Sequence, residues 1–384
     1  MSYPVEGIRV LDLSQAVSGP YVGRILADLG ADVVKVEWDR GDITNAFGLK
    51  TRGRSGLFTQ MNVGKRGISI DRGKLEGADL LRRLAGRADV VIENFRPGVL
   101  DRAELGYETL SSRNKGLVLL SISGFGRGSP ESQRRAYAPV VHAESGLLAR
   151  QAEFDGRPVT DLCFALADTL AALHGTIAIL AALSLRQQTG IGQHIDLSML
   201  EAMVASDDYT HHAIDGVSDI YAPRGQVWDA PGGPIMIAAD PKTLWAKFSA
   251  HVGAEDPAPM GADLEVKVKA RSAAIGSWVS SFASRTQLIA ALEEADLAWA
   301  NIRTTQTLLE SPTLKAAEVV AQVADGEGGH RGVIKMPYRF SGAECDVRRA
   351  APMRGEHNRD VLQEWLGMAP GEIERLEADG SLLR

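Results

Sequence analysis

Residues 7–37 read GIRVLDLSQAVSGPYVGRILADLGADVVKVE, and their pattern decides the fold class. Residues 8–14 form an apolar, β-branched run typical of a strand. The Ser18-Gly19-Pro20 tripeptide is a turn, residues 21–30 carry helical spacing, and residues 31–37 form a second apolar strand. Strand, helix and strand within about thirty residues make a βαβ unit, the building block of parallel sheets. The pattern then repeats. GISID at 67–71 is a short strand, EGADLLRRLAGR at 76–87 a helix, ADVVIENF at 88–95 a strand with a polar exit, and GLVLLSISGFG at 116–126 a further strand.

Ligands of open α/β sheets sit beyond the carboxyl ends of the strands. This rule selects four loops: Ser14 to Gly19, Glu37 to Arg40, Asn94 to Gly98 and Ser123 to Gly128. The most apolar helix, TLAALHGTIAILAALSLRQQ at 169–188, is expected to be largely buried, with Asp168 at its N-cap and Gly190 as its C-terminal cap. Strand QHIDLSM and a helix through EAMVA follow. Near Tyr221 to Pro234 the composition turns to Gly, Pro and aromatics, which marks a second, smaller domain over about 221–325 after a large domain over 1–215. A loop-rich segment, 330–384, ends in two helices at 359–367 and 370–380 and is expected to return to the large domain. There is no internal repeat.

A chain of 384 residues, 45% of them hydrophobic, can bury two cores. Its two cysteines, Cys163 and Cys345, form no disulfide framework or metal-ligand spacing. No apolar run is expected to reach the ~18 residues of a membrane span, so the sequence reads as cytosolic. The net charge of -7 argues against a general nucleic-acid binder but leaves room for a local basic pocket for one small polyanion, and no membrane partner is expected.

By local sequence, Asp168 is a helix cap. The same position suits chemistry, because the positive end of a helix stabilises an ionised carboxylate, and a carboxylate attacks activated acyl groups to give anhydrides. The Ser18-Gly19-Pro20 turn lacks the G-x-G-x-x-G pattern of a dinucleotide site. His211 and His212 are adjacent, so their side chains diverge on a helix, and no metal is assigned. Lys65-Arg66 and Arg134-Arg135 are basic pairs able to hold phosphates.

Taken together, GIRVLDLSQAVSGPYVGRILADLGADVVKVE, NVGKRGISID, DVVIENFRPGVLDR, LSISGFG, the Asp168 helix, TGIGQHIDLSMLEAM and RGEHNRDVL resemble, in one consistent order over the whole chain, the family III CoA-transferases of CaiB/BaiF type. The resemblance implies a Rossmann-like α/β large domain, a smaller α+β domain and an interlocked homodimer. It also implies coenzyme A and acyl-CoA as bound substrates, without metal or redox cofactor, and a carboxylic acid as the second substrate. Asp168 matches the family nucleophile, and Tyr137 lies beside the reacting thioester. Gly232 and Gly233 match a glycine-rich loop that shields the intermediates. Among coenzyme contacts, the resemblance places Arg40 or Arg66, and Arg102, at phosphate or adenine, Val63, Asn94 and Phe95 along the nucleotide, and Arg135 and Met199 near the pantetheine end, with Val17 a further coenzyme-binding residue.

Three positions depart from the family. Pro231 and Pro234 flank a glycine loop with fewer glycines, Ala138 replaces an acidic residue, and Trp38-Asp39 replaces a proline-containing turn. The α-methylacyl-CoA racemases share the fold and are the enzymatic alternative, with a proton-transferring histidine where this chain has Tyr137 and with His142 as the nearest substitute. An inactive acyl-CoA-binding homologue is the other alternative.

Overall fold

The structure is a computed structural model that describes residues 2–38, 41–51, 53–216 and 225–383. It divides into two compact units, Met1–Thr210 with Glu318–Arg384, and His211–Ala317.

In the larger unit the apolar runs become six strands: β1 (Arg9–Asp12), β2 (Asp32–Glu37), β3 (Arg66–Ser69), β4 (Val90–Glu93), β5 (Val118–Ser123) and β6 (His194–Ser198). All pair in parallel, in the order β3-β2-β1-β4-β5-β6. This is the doubly wound order, with its topological switch between β1 and β4. Side chains alternate between two apolar faces, as a sheet covered on both sides requires. On one face Leu11, Val34, Ile68 and Val91 meet helix α2 (Leu75–Ala85) and the C-terminal helices α6 (Asn358–Leu366) and α7 (Pro370–Ala378). On the other face Val10, Val33, Val90 and Leu120 pack on α1 (Ser18–Asp28), α4 (Leu166–Thr189) and α5 (Met199–Ser206). The short helix α3 (Ala138–Glu144) adds Ala138 and Val141 to the second core.

The first turn of α1 passes so close to the exit of β1 that a Cβ on Gly19 would lie 2.2 Å from Cβ of Ser14. Only glycine fits there. Helix α4 corrects three expectations. It begins at Leu166 with Ala165 at the N-cap, so Asp168 is its third residue. Leu166 and Ala167 are good helix formers, and the Thr169 N–H closes the first turn on Ala165 O at 3.1 Å. The helix is also long and apolar enough to cross a membrane by length and composition, with a mean hydropathy of 1.7. Finally, its burial is one-sided. Ala171, Ala172, Gly175 and Ile179 face the core, while Ile177 is 64% exposed and Leu185 43%. Gly190 ends it in the left-handed conformation, at φ 73°, as the sequence predicts.

The smaller unit combines a three-stranded antiparallel sheet of Gln226–Trp228, Ile235–Ala238 and Ala298–Asn301 with the helices Pro241–Val252, Leu264–Ser280 and Arg285–Glu294. Its own core joins Ile235, Trp245, Phe248, Ile275 and Leu288.

Candidate active site

The carboxyl ends of β1, β4, β5 and β6 open onto one pocket at the switch point, with a volume of about 190 Å³. Gln15, Ala16 and Ser18 come from the β1 exit, Asn94 to Pro97 from β4, Ser123 and Gly124 from β5, and Met199 from the exit of β6. Tyr137 precedes α3, and Asp168 projects from the first turn of α4.

The β1 exit is held in an uncommon shape, with Ala16 at φ 65°. Left-handed backbone costs a non-glycine residue about 1 kcal/mol or more, so the surroundings must hold it. Asn94 does so from one side. Its Oδ1 accepts the Gln15 N–H at 2.8 Å, and its Nδ2 donates to Gln15 O at 2.7 Å and to Ser18 Oγ at 3.2 Å. From beneath, a fully buried ionic network supports the same loop. Lys35 Nζ donates to Ser14 O and pairs with Asp42 at 3.0 Å. Lys65 Nζ pairs with Asp12 at 2.7 Å and donates to Pro20 O and Asn62 Oδ1, each at 2.8 Å. Burial pulls the Lys65 ammonium down to about 8, against the opposing charge of Asp12.

The braced loop directs one donor at Asp168. The Ser18 N–H, at the start of α1, donates to Asp168 Oδ1 at 3.2 Å. Burial raises the Asp168 pKa above the usual aspartate range, and the hydrogen bonds from Ser18 hold it back. The result is a partly desolvated carboxylate facing a pocket. Behind it, His142 of α3 is buried and accepts the Ala167 N–H at Nε2. Next to Asn94, Glu93 accepts the Phe95 N–H at 2.8 Å, and burial pushes its carboxyl up to about 7.

Phe95 also lines a second cleft, of about 490 Å³, with Trp38, Arg72, Leu81, Arg82, Val99 and Arg102. The Trp38 and Phe95 rings lie 5.6 Å apart, and the Arg72 guanidinium sits 5.2 Å above the Trp38 ring. This cleft combines flat apolar surfaces with exposed guanidinium groups at Arg72 and Arg102, a chemistry suited to a base and phosphates.

Asp168, Tyr137, Asn94, Phe95 and Met199 therefore share one pocket, Val17 sits at the N-cap of α1 beside it, and Arg102 lies in the adjoining cleft. Arg66 and Val63 lie elsewhere. Arg66 starts β3, at the opposite end of the sheet, and its guanidinium binds Asp32 at 2.5 Å and Glu364 at 2.6 Å. Val63 is fully buried against Val323 and Val333. Arg135 is exposed and absent from the pocket lining, whereas its neighbour Arg134 reaches the pocket while paired with Glu131 and Glu144. Arg40 lies outside the described residues. Gly232 and Gly233, in the smaller unit, have φ values of 80° and 114°, and Arg285 donates to Gly233 O and Pro234 O. Arg72 escapes the sequence reading, although the strand-exit rule applied to the end of β3 picks it out.

A sequence model described as CoA-transferase family III matches residues 5–358. The chain is 29% identical to a succinyl-CoA–D-citramalate CoA-transferase of Chloroflexus aurantiacus, over 98% of this chain and 97% of that one. It is 31% identical to a formyl-CoA:oxalate CoA-transferase of Streptomyces coelicolor, with 98% of each covered. The solved structure of a CaiB/BaiF family protein from Brucella suis matches with a TM-score of 0.81 at 30% identity, covering 95% of this chain and all of that one. With its parallel sheet, its pocketed aspartate and a family match spanning nearly its whole length, the chain belongs to CoA-transferase family III.

Proposed function

We propose that this enzyme moves CoA from an acyl-CoA donor to a small carboxylic acid, with Asp168 as covalent carrier. The observation that carries the reading is the partly desolvated Asp168 carboxylate, set at the switch-point pocket and oriented by the Ser18 N–H. Desolvation leaves a carboxylate more nucleophilic. Asp168 attacks the thioester carbonyl, giving an aspartyl–acyl anhydride and CoA thiolate. The thiolate attacks the aspartyl carbonyl, giving aspartyl-CoA thioester and the free donor acid. The acceptor carboxylate then attacks that thioester, forming a second anhydride and releasing thiolate again. Attack of the thiolate on the acceptor acyl carbon yields the new acyl-CoA and restores Asp168.

The coenzyme is placed across both cavities, with adenine and phosphates at Trp38, Arg72 and Arg102, and the reacting thioester near Asp168 and Tyr137. Phe95, shared by the two cavities, supports this path. A volume of about 190 Å³ supports a short acyl chain. The relatives named for succinyl-CoA and oxalate support an acid of that size. The exposed apolar stripe Ile177, Leu180 and Leu185 on α4 supports a homodimer, of the interlocked kind the resemblance implies. Racemisation is disfavoured by Tyr137 at the position of the racemase base and by the engagement of both His142 ring nitrogens.

The test pairs short acyl-CoA donors with labelled acids in deuterated water. Label appearing in a new CoA thioester, without deuterium at the α-carbon, supports transfer. Deuterium uptake without label transfer refutes it in favour of the racemase, and tight CoA binding with neither refutes it in favour of a binding protein.

A further inference from the structure

Helix α4 lacks a side-chain cap of its own. Its N-cap residue is Ala165, and a methyl group accepts no hydrogen bond. The open amides of a first turn need partners from elsewhere. Here the Ala167 N–H, one residue before Asp168, donates to His142 Nε2 at 3.1 Å. The other ring nitrogen, Nδ1, lies 2.8 Å from Asp161 Oδ1. His142 itself is 1% exposed and stands on α3, five residues after Tyr137.

These contacts define the protonation state. A backbone N–H only donates, so Nε2 must carry a lone pair, and the ring proton must sit on Nδ1, where the Asp161 carboxylate accepts it. A charged imidazolium would set an Nε2–H against the Ala167 N–H at the positive end of α4. Asp161, from the segment before α4, faces Nδ1, and Asp168 follows Ala167 on α4 itself. The Asp161–His142–Ala167 chain thus ties α3, which follows Tyr137, to the turn that carries Asp168.

We infer that His142 is a positioning residue for the Asp168 carboxylate, acting as a neutral Nδ1–H cap on α4 with its tautomer fixed by Asp161. The inference rests on the reading of Asp168 as nucleophile. Loss of the cap lets the first turn of α4 shift, which moves the carboxylate relative to the Ser18 N–H without touching the coenzyme cleft. The effect therefore falls on kcat rather than on KM for acyl-CoA.

The test uses the full-length enzyme and three variants. His142→Leu orphans the Ala167 N–H and is expected to lower kcat about tenfold, the worth of one unpaired buried amide, with KM for acyl-CoA changed less than about twofold. His142→Gln retains an acceptor for Ala167 and a donor for Asp161, and is expected to recover most of the lost kcat. Asp161→Ala releases the tautomer and is expected to fall between the two. Nitrogen-15 spectra of histidine-labelled wild type should show His142 protonated at Nδ1 and bare at Nε2 at pH 7. A ring protonated at Nε2, or a His142→Leu enzyme with wild-type kcat, overturns the inference. The spectra are read on the unmutated protein, so they decide the matter even where the leucine substitution weakens the fold. Hydroxylamine trapping separates the two readings. Wild type that forms an Asp168 adduct, with an unimpaired His142→Leu enzyme, overturns only the role of His142, whereas wild type without any adduct overturns the nucleophile and this inference together.

Discussion

The two cavities that meet at Phe95 are built in opposite ways. Around Asp168 the polar groups are engaged with one another. Asn94 makes three hydrogen bonds to the β1 exit, two buried lysines hold the same loop from below, and the Ser18 N–H is turned to the carboxylate. In the cleft of Trp38 and Arg102 the cations Arg72 and Arg102 are exposed, while Arg82 is half-buried and paired with Glu104, and the other walls are rings and aliphatic side chains. The difference teaches a division of labour. A group that must meet a reacting carbon needs its orientation set before substrate arrives, whereas a flexible, multiply charged chain is held adequately by flat surfaces and long cationic arms. Precision is concentrated at the first cavity and tolerance at the second.

Substitutions on either side should separate these roles. The largest effect is expected for Asp168→Asn, which keeps the size and the Ser18 contact but removes the nucleophile. Its kcat should fall by at least about 10³-fold, with CoA still bound by calorimetry. Asn94→Ala comes next. It orphans the half-buried Gln15 N–H and loosens the Ala16 turn, at a cost of ~1 kcal/mol, which should appear both as a lower Tm and as a lower kcat. Arg72→Ala and Arg102→Ala should act on the second cavity alone, each raising KM for acyl-CoA about tenfold with kcat nearly unchanged. Their penalty should shrink as salt is added, since screening weakens exposed charges.

Smallest is Glu93→Gln, a change in stability rather than in rate. The folded-state pKa of Glu93 is raised to about 7 from 4.5, with burial as the main cause. Its protonated form therefore suits the fold, and the stability it contributes is full below about 4.5 and lost as pH rises through 7. Glutamine mimics the protonated form and keeps an acceptor for the Phe95 N–H. The variant should match wild type in Tm near pH 4 and exceed it at pH 8. Equal Tm values at both ends would show that Glu93 is not desolvated as described.

Much of the sheet was legible in the sequence, because parallel strands covered on both faces leave continuous apolar runs, and the strand-exit rule locates the loops around Asn94 and Ser123 directly. What escaped was tertiary. Whether Asp168 caps α4 or projects from its first turn depends on Leu166 and Ala167 already being helical, with Ala165 as the N-cap, a choice aided by the His142 cap twenty-five residues away in sequence. Arg66 reads as a phosphate ligand in the sequence because it belongs to a basic pair near a loop and matches the family by position. It begins β3, however, and only strand pairing shows that this end of the sheet faces away from the pocket. The exposed face of α4 was equally hidden, since a helix with apolar residues on every side carries little mark of which side meets the sheet.

The central claim is that Asp168 carries the acyl group. Wild-type enzyme incubated with a short acyl-CoA and quenched with hydroxylamine should, on peptide mass analysis, bear a hydroxamate at Asp168 that requires the thioester and is absent from Asp168→Asn. An unmodified Asp168 peptide under turnover, with CoA exchange proceeding normally, would contradict it.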